Sequence, residues 1–288
     1  MALTGVYGAV ERQTAIGLVH RALDLGIRHF DTAELYGPYA NEELLAEALG
    51  ARGNDVEIAT KFGYRLRDGK IAGLDSSPAN IRRAVEGSLR RLRRDRIDIL
   101  YQHRADPAVP IEDVVGVMSD LVREGKVRAL GLSAVDWGTL QRAQAVSPVS
   151  FVQNEYSLIQ RAPETELLPR LKGSAVRFVC YSPLGRGILA GKPEAYCGQN
   201  VSDYRRNDPR FEPQNLRAMQ LRLSALREIA EGRGVNPAAV ALAWLLSRGP
   251  NIHVIPGAKS ALQLEAAVQG AELTLAAAEL AQLDRISA

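Results

Sequence analysis

The sequence predicts a parallel α/β barrel of the eight-stranded (β/α)8 TIM class, short of its first strand. Three observations carry that expectation. Short apolar runs alternate with helical patterns almost from end to end, as βαβ units do. No G-x-G-x-x-G follows any of these runs, which disfavours a Rossmann sheet. Seven strands can be counted where a closed barrel has eight, and the first clear element is a helix.

The elements follow in order. Residues 11–25 form a helix pattern with Ile16, Val19, Ala22 and Leu23 on one face, ended by Gly26. A strand at 27–30 leads into Asp31. Asn41 is expected to cap a helix reaching 49. A strand at 56–60 follows, then a helix opened by Ser77 as N-cap and Pro78 at the first helical position. Strands are expected at 97–101, 127–132, 149–153, 176–181 and 252–255, with helices near 110–123, 137–145, 163–171, 216–232, 237–248, 261–269 and 276–286. The polar stretch 191–214 has no clear period and is too long for an ordinary connection, so it is expected to be a lid loop. One domain is expected over 1–288, with an open seam between the 27–30 and 252–255 strands.

Composition narrows the class. The chain has 288 residues, 46% hydrophobic and 24% charged, which suits a soluble globular domain. A net charge of +3 does not argue for nucleic acid. No apolar run is long enough to span a membrane, and Met1 to Gly5 lack a signal peptide's basic and apolar regions. A cytoplasmic protein is expected. Two cysteines make no disulfide framework or zinc site. Cys180 reads as a small core residue and Cys197 as an exposed loop thiol.

In a barrel, polar residues at the carboxyl ends of strands face the active site. Those ends carry Asp31, Lys61, His103, Ser133, Gln153 and Tyr181, with Tyr36 in the loop after the 27–30 strand. Each has a bland reading alone. Lys61 is hardest to dismiss, because a lysine at a buried strand end is costly unless paired. Together Asp31, Tyr36, Lys61 and His103 suit an acid–base site. An ammonium favours a phenolate, a carboxylate holds the ammonium, and a histidine can donate to a carbonyl oxygen. Such a set protonates an alkoxide but supplies no hydride, which a nicotinamide would.

The segment Gly26-Ile27-Arg28-His29-Phe30-Asp31-Thr32-Ala33-Glu34-Leu35-Tyr36-Gly37 resembles the first signature of the aldo-keto reductase superfamily. Ala59-Thr60-Lys61, Ile97-Asp98-Ile99-Leu100-Tyr101-Gln102-His103, Arg128-Ala129-Leu130-Gly131-Leu132-Ser133 and Val152-Gln153-Asn154-Glu155-Tyr156 match further motifs. Tyr181-Ser182-Pro183-Leu184-Gly185-Arg186-Gly187 and Ile255-Pro256-Gly257-Ala258-Lys259-Ser260 match the cofactor loops, all in family order over about 1–286. The style is that of the bacterial and plant perakine-reductase-like branch.

That resemblance implies carbonyl reduction to an alcohol, with NADPH preferred to NADH and a small-molecule carbonyl as substrate. Tyr36 would give the proton, Lys61 would lower its pKa, Asp31 would pair with Lys61 and His103 would orient the carbonyl. Ser133 and Gln153 would hold the nicotinamide carboxamide and Tyr181 would stack on the ring. Ser182, Leu184, Gly185, Arg186 and Gly187 would follow the pyrophosphate. Lys259 and Ser260 would contact the adenosine 2′-phosphate and Gln263 the adenine side, with Gly257 in the same cofactor loop. Ala134 and Ala267 stand where the family often has Asn. The family's first strand and floor hairpin are expected upstream of residues resembling the loop after that strand.

Two other readings stay open: a Schiff-base aldolase using Lys61, and a nicotinamide-binding sensor. Arg205, Arg206 and Arg210 read as solvated loop charge, Trp137 and Trp244 as packing. Phe62, Tyr64 and Tyr156 are candidates to line a substrate pocket.

Overall fold

A computed structural model describes residues 3–4, 10–191 and 203–286. Cys197 and most of the first half of the expected lid lie outside them. Seven parallel strands form one curled sheet: β1 (His29–Asp31), β2 (Glu57–Phe62), β5 (Ile97–Gln102), β6 (Val127–Ser133), β7 (Phe151–Glu155), β8 (Arg177–Tyr181) and β9 (Ile252–Val254). The order is β1-β2-β5-β6-β7-β8-β9, so among the described residues β1 and β9 are unpaired edges. Among the described residues the sheet is thus a barrel with incomplete closure, as expected.

The helices cover the outside: α1 (Arg12–Asp24), α2 (Ala40–Leu49), α3 (Pro78–Leu92), α4 (Ile111–Arg123), α5 (Trp137–Gln144), α6 (Leu167–Leu171), α7 (Pro213–Arg222), α8 (Ser224–Arg233), α9 (Pro237–Leu246), α10 (Ala261–Glu272) and α11 (Ala277–Asp284). Ser77 caps α3 with Pro78 at its first position, as expected. Asn41 does not cap α2. Tyr39 stands at that position, and Asn41 is buried one residue inside the helix, donating to Thr32 Oγ1 at 2.8 Å and accepting from Leu3 N at 3.0 Å. The expected 216–232 helix is two helices broken at Leu223, and the expected 163–171 helix is a 3-10 turn followed by α6.

An antiparallel hairpin, β3 (Tyr64–Arg67) with β4 (Lys70–Leu74), was not expected. Its signal is in the sequence: Asp68 and Gly69 both have positive φ, 51° and 71°, as a two-residue hairpin turn requires.

Apolar side chains fall in two layers. Val114, Met118, Leu130, Val152, Phe178 and Trp244 pack between strands and helices. Ala59, Ile99, Tyr101, Phe151 and Val179 fill the inside of the sheet. Phe62 and Tyr156 belong to the buried core instead of lining a pocket. The Tyr156 hydroxyl donates to Glu164 at 2.6 Å. Cys180 and Trp244 are buried as expected. Although β1 and β9 do not pair, α1 and α10 meet over the gap, joined by Arg21 Nη2 to Glu265 Oε1 at 2.6 Å. Leu3 packs beside Phe30 in the same region.

The inner layer needs one glycine. Gly131 on β6 is the register partner of Tyr101 on β5, and a Cβ at 131 would enter the Tyr101 ring. Gly131→Ala is expected to cost about 1–3 kcal/mol through overpacking, read as a lower urea midpoint. An unchanged midpoint would show that the ring has other space.

Candidate active site

Every strand end expected to carry chemistry opens on the same mouth. Asp31 closes β1, Lys61 lies near the end of β2, His103 follows β5, Ser133 closes β6, Gln153 lies on β7 and Tyr181 closes β8. Backbone bonds continue the pairing past those ends, with Thr32 N to Ala59 O at 2.8 Å and His103 N to Phe62 O at 2.8 Å. The side chains are thus set by strand register.

Lys61 is 1% exposed and paired with Asp31. Its Nζ also donates to Thr32 O at 2.8 Å. Gln153, from the opposite wall, donates Nε2 to the other Asp31 oxygen at 2.8 Å. Burial pushes the Lys61 ammonium below its ordinary value, Arg104 adds to that, and Asp31 opposes it.

Two phenols flank the ammonium. Lys61 Nζ is 5.3 Å from the Tyr36 ring centre and 5.9 Å from that of Tyr101. Tyr101 is wholly buried, and burial together with the Asp31 charge pushes its titration far up. It remains a neutral phenol inside the barrel. Tyr36 is only half-buried, so it is the phenol of the two that a ligand can reach.

His103 stands beside Tyr36, edge to face at 5.9 Å, and beside Tyr64 of the hairpin at 5.2 Å. Burial, then Lys61, then Arg104 hold its pKa well below the usual histidine value. At neutral pH the ring is therefore neutral, with one N–H to donate. Of the three aromatic candidates for a pocket wall, Tyr64 alone faces this site.

The residues expected to hold the cofactor lie at the ends of β6 and β8, on β7, in the turn at 182–187 and at the start of α10. Ser133 Oγ accepts from Arg104 Nη1 at 3.3 Å, and the Arg104 guanidinium lies 5.5 Å from the Tyr181 ring. Ser182, Gly185, Arg186 and Gly187 have positive φ (48°, 56°, 58° and 104°), a tight turn on both sides of Leu184. Ser260 caps α10, accepting from Gln263 N, while Gln263 Oε1 accepts from Lys259 N at 2.7 Å. Gly257 precedes them with open space at its Cα. Burial and Arg205 lower the Lys259 pKa. This donor set fits a dinucleotide phosphate: oriented hydroxyls and an amide at one end, a helix N-terminus behind a lysine at the other.

Ala134 has φ 56°, a left-handed conformation that Asn tolerates better than Ala. Ala267 packs against the core from α10.

The arginines of segment 203–211 are not all solvated. Arg205 is buried on Asp203, and Arg210 Nη1 reaches Glu155 Oε1 at 2.6 Å. Arg186 Nη1 meets Asp208 at 2.7 Å. Arg206 is exposed as expected.

Two functional candidates escaped the sequence reading. Arg104 adjoins His103 and carried no signal except adjacency. Glu34, two residues before Tyr36, is 1% exposed, and neither carboxyl oxygen has a hydrogen-bond partner among the described residues. Burial raises its pKa to about 7, with Glu42 adding and Arg83 and Arg91 opposing.

Comparisons with known proteins give the family. The family model described as "Aldo/keto reductase family" matches residues 1–288. The chain belongs to the aldo/keto reductase family. A protein described as probable aldo-keto reductase 1 from Glycine max is 36% identical over 98% of this chain and 82% of its own length. A glycerol dehydrogenase from Gluconobacter oxydans superposes with a TM-score of 0.89 at 30% identity, over 98% of this chain and 87% of that one. An aldo-keto reductase from Klebsiella pneumoniae, solved with NADPH, gives 0.77 at 26% identity, over 98% and 89%. As an aldo-keto reductase the chain is an oxidoreductase. No helix among the described residues is long and apolar enough to cross a membrane, and no three of their His, Cys, Asp or Glu side chains could hold a metal.

Glu34 sets a pH dependence for this aldo-keto reductase. Below 4.5 the carboxyl is protonated both folded and unfolded. Between 4.5 and 7 only the folded chain keeps the proton, so stability falls as pH rises through that window. The loss reaches about 3 kcal/mol above the upper value. Glu34→Gln is expected to flatten this fall. Equal slopes of melting temperature against pH in both proteins would rule out an ionising Glu34.

Proposed function

We propose that this chain reduces a small aldehyde or ketone to an alcohol with NADPH, Tyr36 supplying the proton. The observation that carries the reading is the buried Lys61–Asp31 pair beside Tyr36, the less buried of the two phenols near the ammonium. When bound, the reduced nicotinamide supplies a hydride to the carbonyl carbon. Everything else falls to the chain. Neutral His103 donates its N–H to the carbonyl oxygen and fixes the carbonyl's direction. Tyr36 Oη gives its proton to that oxygen as negative charge develops there. The Lys61 ammonium stabilises the phenolate left behind, and Asp31 keeps Lys61 charged and aimed. Gln153 and Thr32 O hold the pair in place.

Ser133, Gln153 and Tyr181 are proposed to receive the nicotinamide end. The amides from Leu184 to Gly187, with Ser182 and Arg186, follow the pyrophosphate. Lys259 and Ser260 take the 2′-phosphate, with Gly257 and Gln263 on the adenosine side. Support for NADPH comes from the lysine before a helix N-terminus and from the relative solved with that cofactor. Segment 203–211, pinned to Arg186 and Glu155, serves as the inner part of the lid. The aldolase reading loses ground, because a Schiff-base lysine must present a neutral amine to substrate. Lys61 Nζ is buried and donates to Asp31 and Thr32 O.

Loss of absorbance at the reduced-nicotinamide band, with 4-nitrobenzaldehyde as acceptor, tests the reading. Tyr36→Phe is expected to lower kcat by at least ~100-fold while NADPH binding persists. Retained turnover would remove Tyr36 as the donor. For the cofactor, Lys259→Ala is expected to raise the NADPH Kd roughly tenfold and leave NADH nearly unmoved. Equal weakening of both would place the lysine away from the 2′-phosphate.

A further inference from the structure

The mouth holds a second cation that the proton-transfer set does not use. Arg104 follows His103 directly and is half-buried. Its Nη1 donates to the His103 carbonyl at 2.6 Å and to Ser133 Oγ at 3.3 Å. Among the described residues its Nε and Nη2 groups have no acceptor, and it pairs with no carboxylate. The acidic side chains at neighbouring strand ends are engaged elsewhere. Asp31 holds Lys61 and Gln153, Glu155 holds Arg210, and Asp106 accepts from the amides of Ser76 and Ala108.

This arrangement is unusual for a charge serving only the fold. A partly desolvated guanidinium is costly without an anion, and its planar fork matches a carboxylate with two parallel bonds. Tyr181 lies under the guanidinium, while Tyr36 and Tyr64 flank His103. Their rings would exclude water and strengthen such a contact. Lys61 cannot serve instead, because its Nζ is buried and held by Asp31 and Thr32 O. The charge is also felt within the site, where Arg104 lowers the pKa of both Lys61 and His103.

We propose that Arg104 makes this pocket select carbonyl compounds that also carry a carboxylate, which the guanidinium holds while Tyr36 and His103 act on the carbonyl oxygen. The carboxylate is a spectator: no bond to it forms or breaks, and the hydride and proton go to the carbonyl as before. The inference rests on the carbonyl-reductase reading and adds its substrate class.

The test uses two aldehydes of nearly equal shape, 4-carboxybenzaldehyde and 4-nitrobenzaldehyde, which differ chiefly in charge. The readout is the ratio of their kcat/KM values, so their different intrinsic reactivities cancel between variants. In Arg104→Gln the acid-to-nitro ratio is expected to fall at least ~30-fold, mainly through KM for the acid. Arg104→Lys, which keeps the charge but not the fork, is expected to recover part of it. A ratio that is the same in all three proteins overturns the proposal.

A binding arm separates this from failure of the reductase reading. Calorimetry measures 4-(hydroxymethyl)benzoate and 4-nitrobenzyl alcohol on NADP+-loaded protein. If wild-type protein reduces neither aldehyde but binds the acid at least ~10-fold more tightly than Arg104→Gln does, with the nitro alcohol as reference, the anion site stands and the reductase reading falls. If the acid binds no better than the nitro alcohol in the wild type, the anion site falls whatever the turnover.

Discussion

A buried ammonium–carboxylate pair organises this molecule. Removing Lys61 and Asp31 from water costs several kcal/mol per ion, and only close pairing with further hydrogen bonds offsets it. Those further bonds come from Thr32 O and from Gln153. Gln153 is on β7 and Asp31 on β1, far apart in the sheet order. The sheet must curl for the bond to form. One polar network therefore spans the curled mouth and holds Lys61 beside Tyr36. It links opposite walls where the backbone of β1 and β9 does not, and the α1–α10 contact links them again on the outside.

The electrostatics around that pair divide labour by burial. Tyr101 is too deep to ionise and Tyr36 is shallow enough to meet a ligand, although both lie near the same ammonium. His103 is kept neutral by burial and by two nearby cations, which suits donation of a hydrogen bond and not storage of charge. Glu34 is the exception, a carboxyl with no hydrogen-bond partner among the described residues, just upstream of the proposed proton donor. Glu42, equally buried, is held by Arg91 at 2.7 Å and Thr60 at 2.6 Å. The contrast between these two acids locates the least satisfied part of the active-site turn.

Much of the site was legible because barrel register is simple. A parallel strand ends where its apolar run ends, and the next polar residue faces the mouth. That rule placed Asp31, Lys61, His103, Ser133, Gln153 and Tyr181 within a residue or two of their observed positions. The hairpin bringing Tyr64 against His103 was also legible, through Asp68-Gly69, but its strands are short: Tyr64–Arg67 alternates over only four residues and Lys70–Leu74 is almost wholly exposed. Asn41 misled because a capping residue type just before a helix reads as a cap, whereas burial turns its amide toward Thr32 and Leu3. Phe62 and Tyr156 misled because an aromatic near a strand end can face either the mouth or the helix layer.

By itself the sequence determined the alternation of the barrel's strands and helices, the seven parallel strands found among the described residues, and which titratable residues end up together. Local patterning suffices for these, since periodicity, turn chemistry and strand ends are properties of neighbouring residues. Only the tertiary structure decided which groups are paired, buried or left exposed. Asp31 held by Gln153 as well as Lys61, Arg210 on Glu155 instead of in solvent and, among the described residues, Arg104 without a carboxylate partner all depend on neighbours distant in sequence. Desolvation and Coulomb interactions act through space, and no pattern along the chain encodes them.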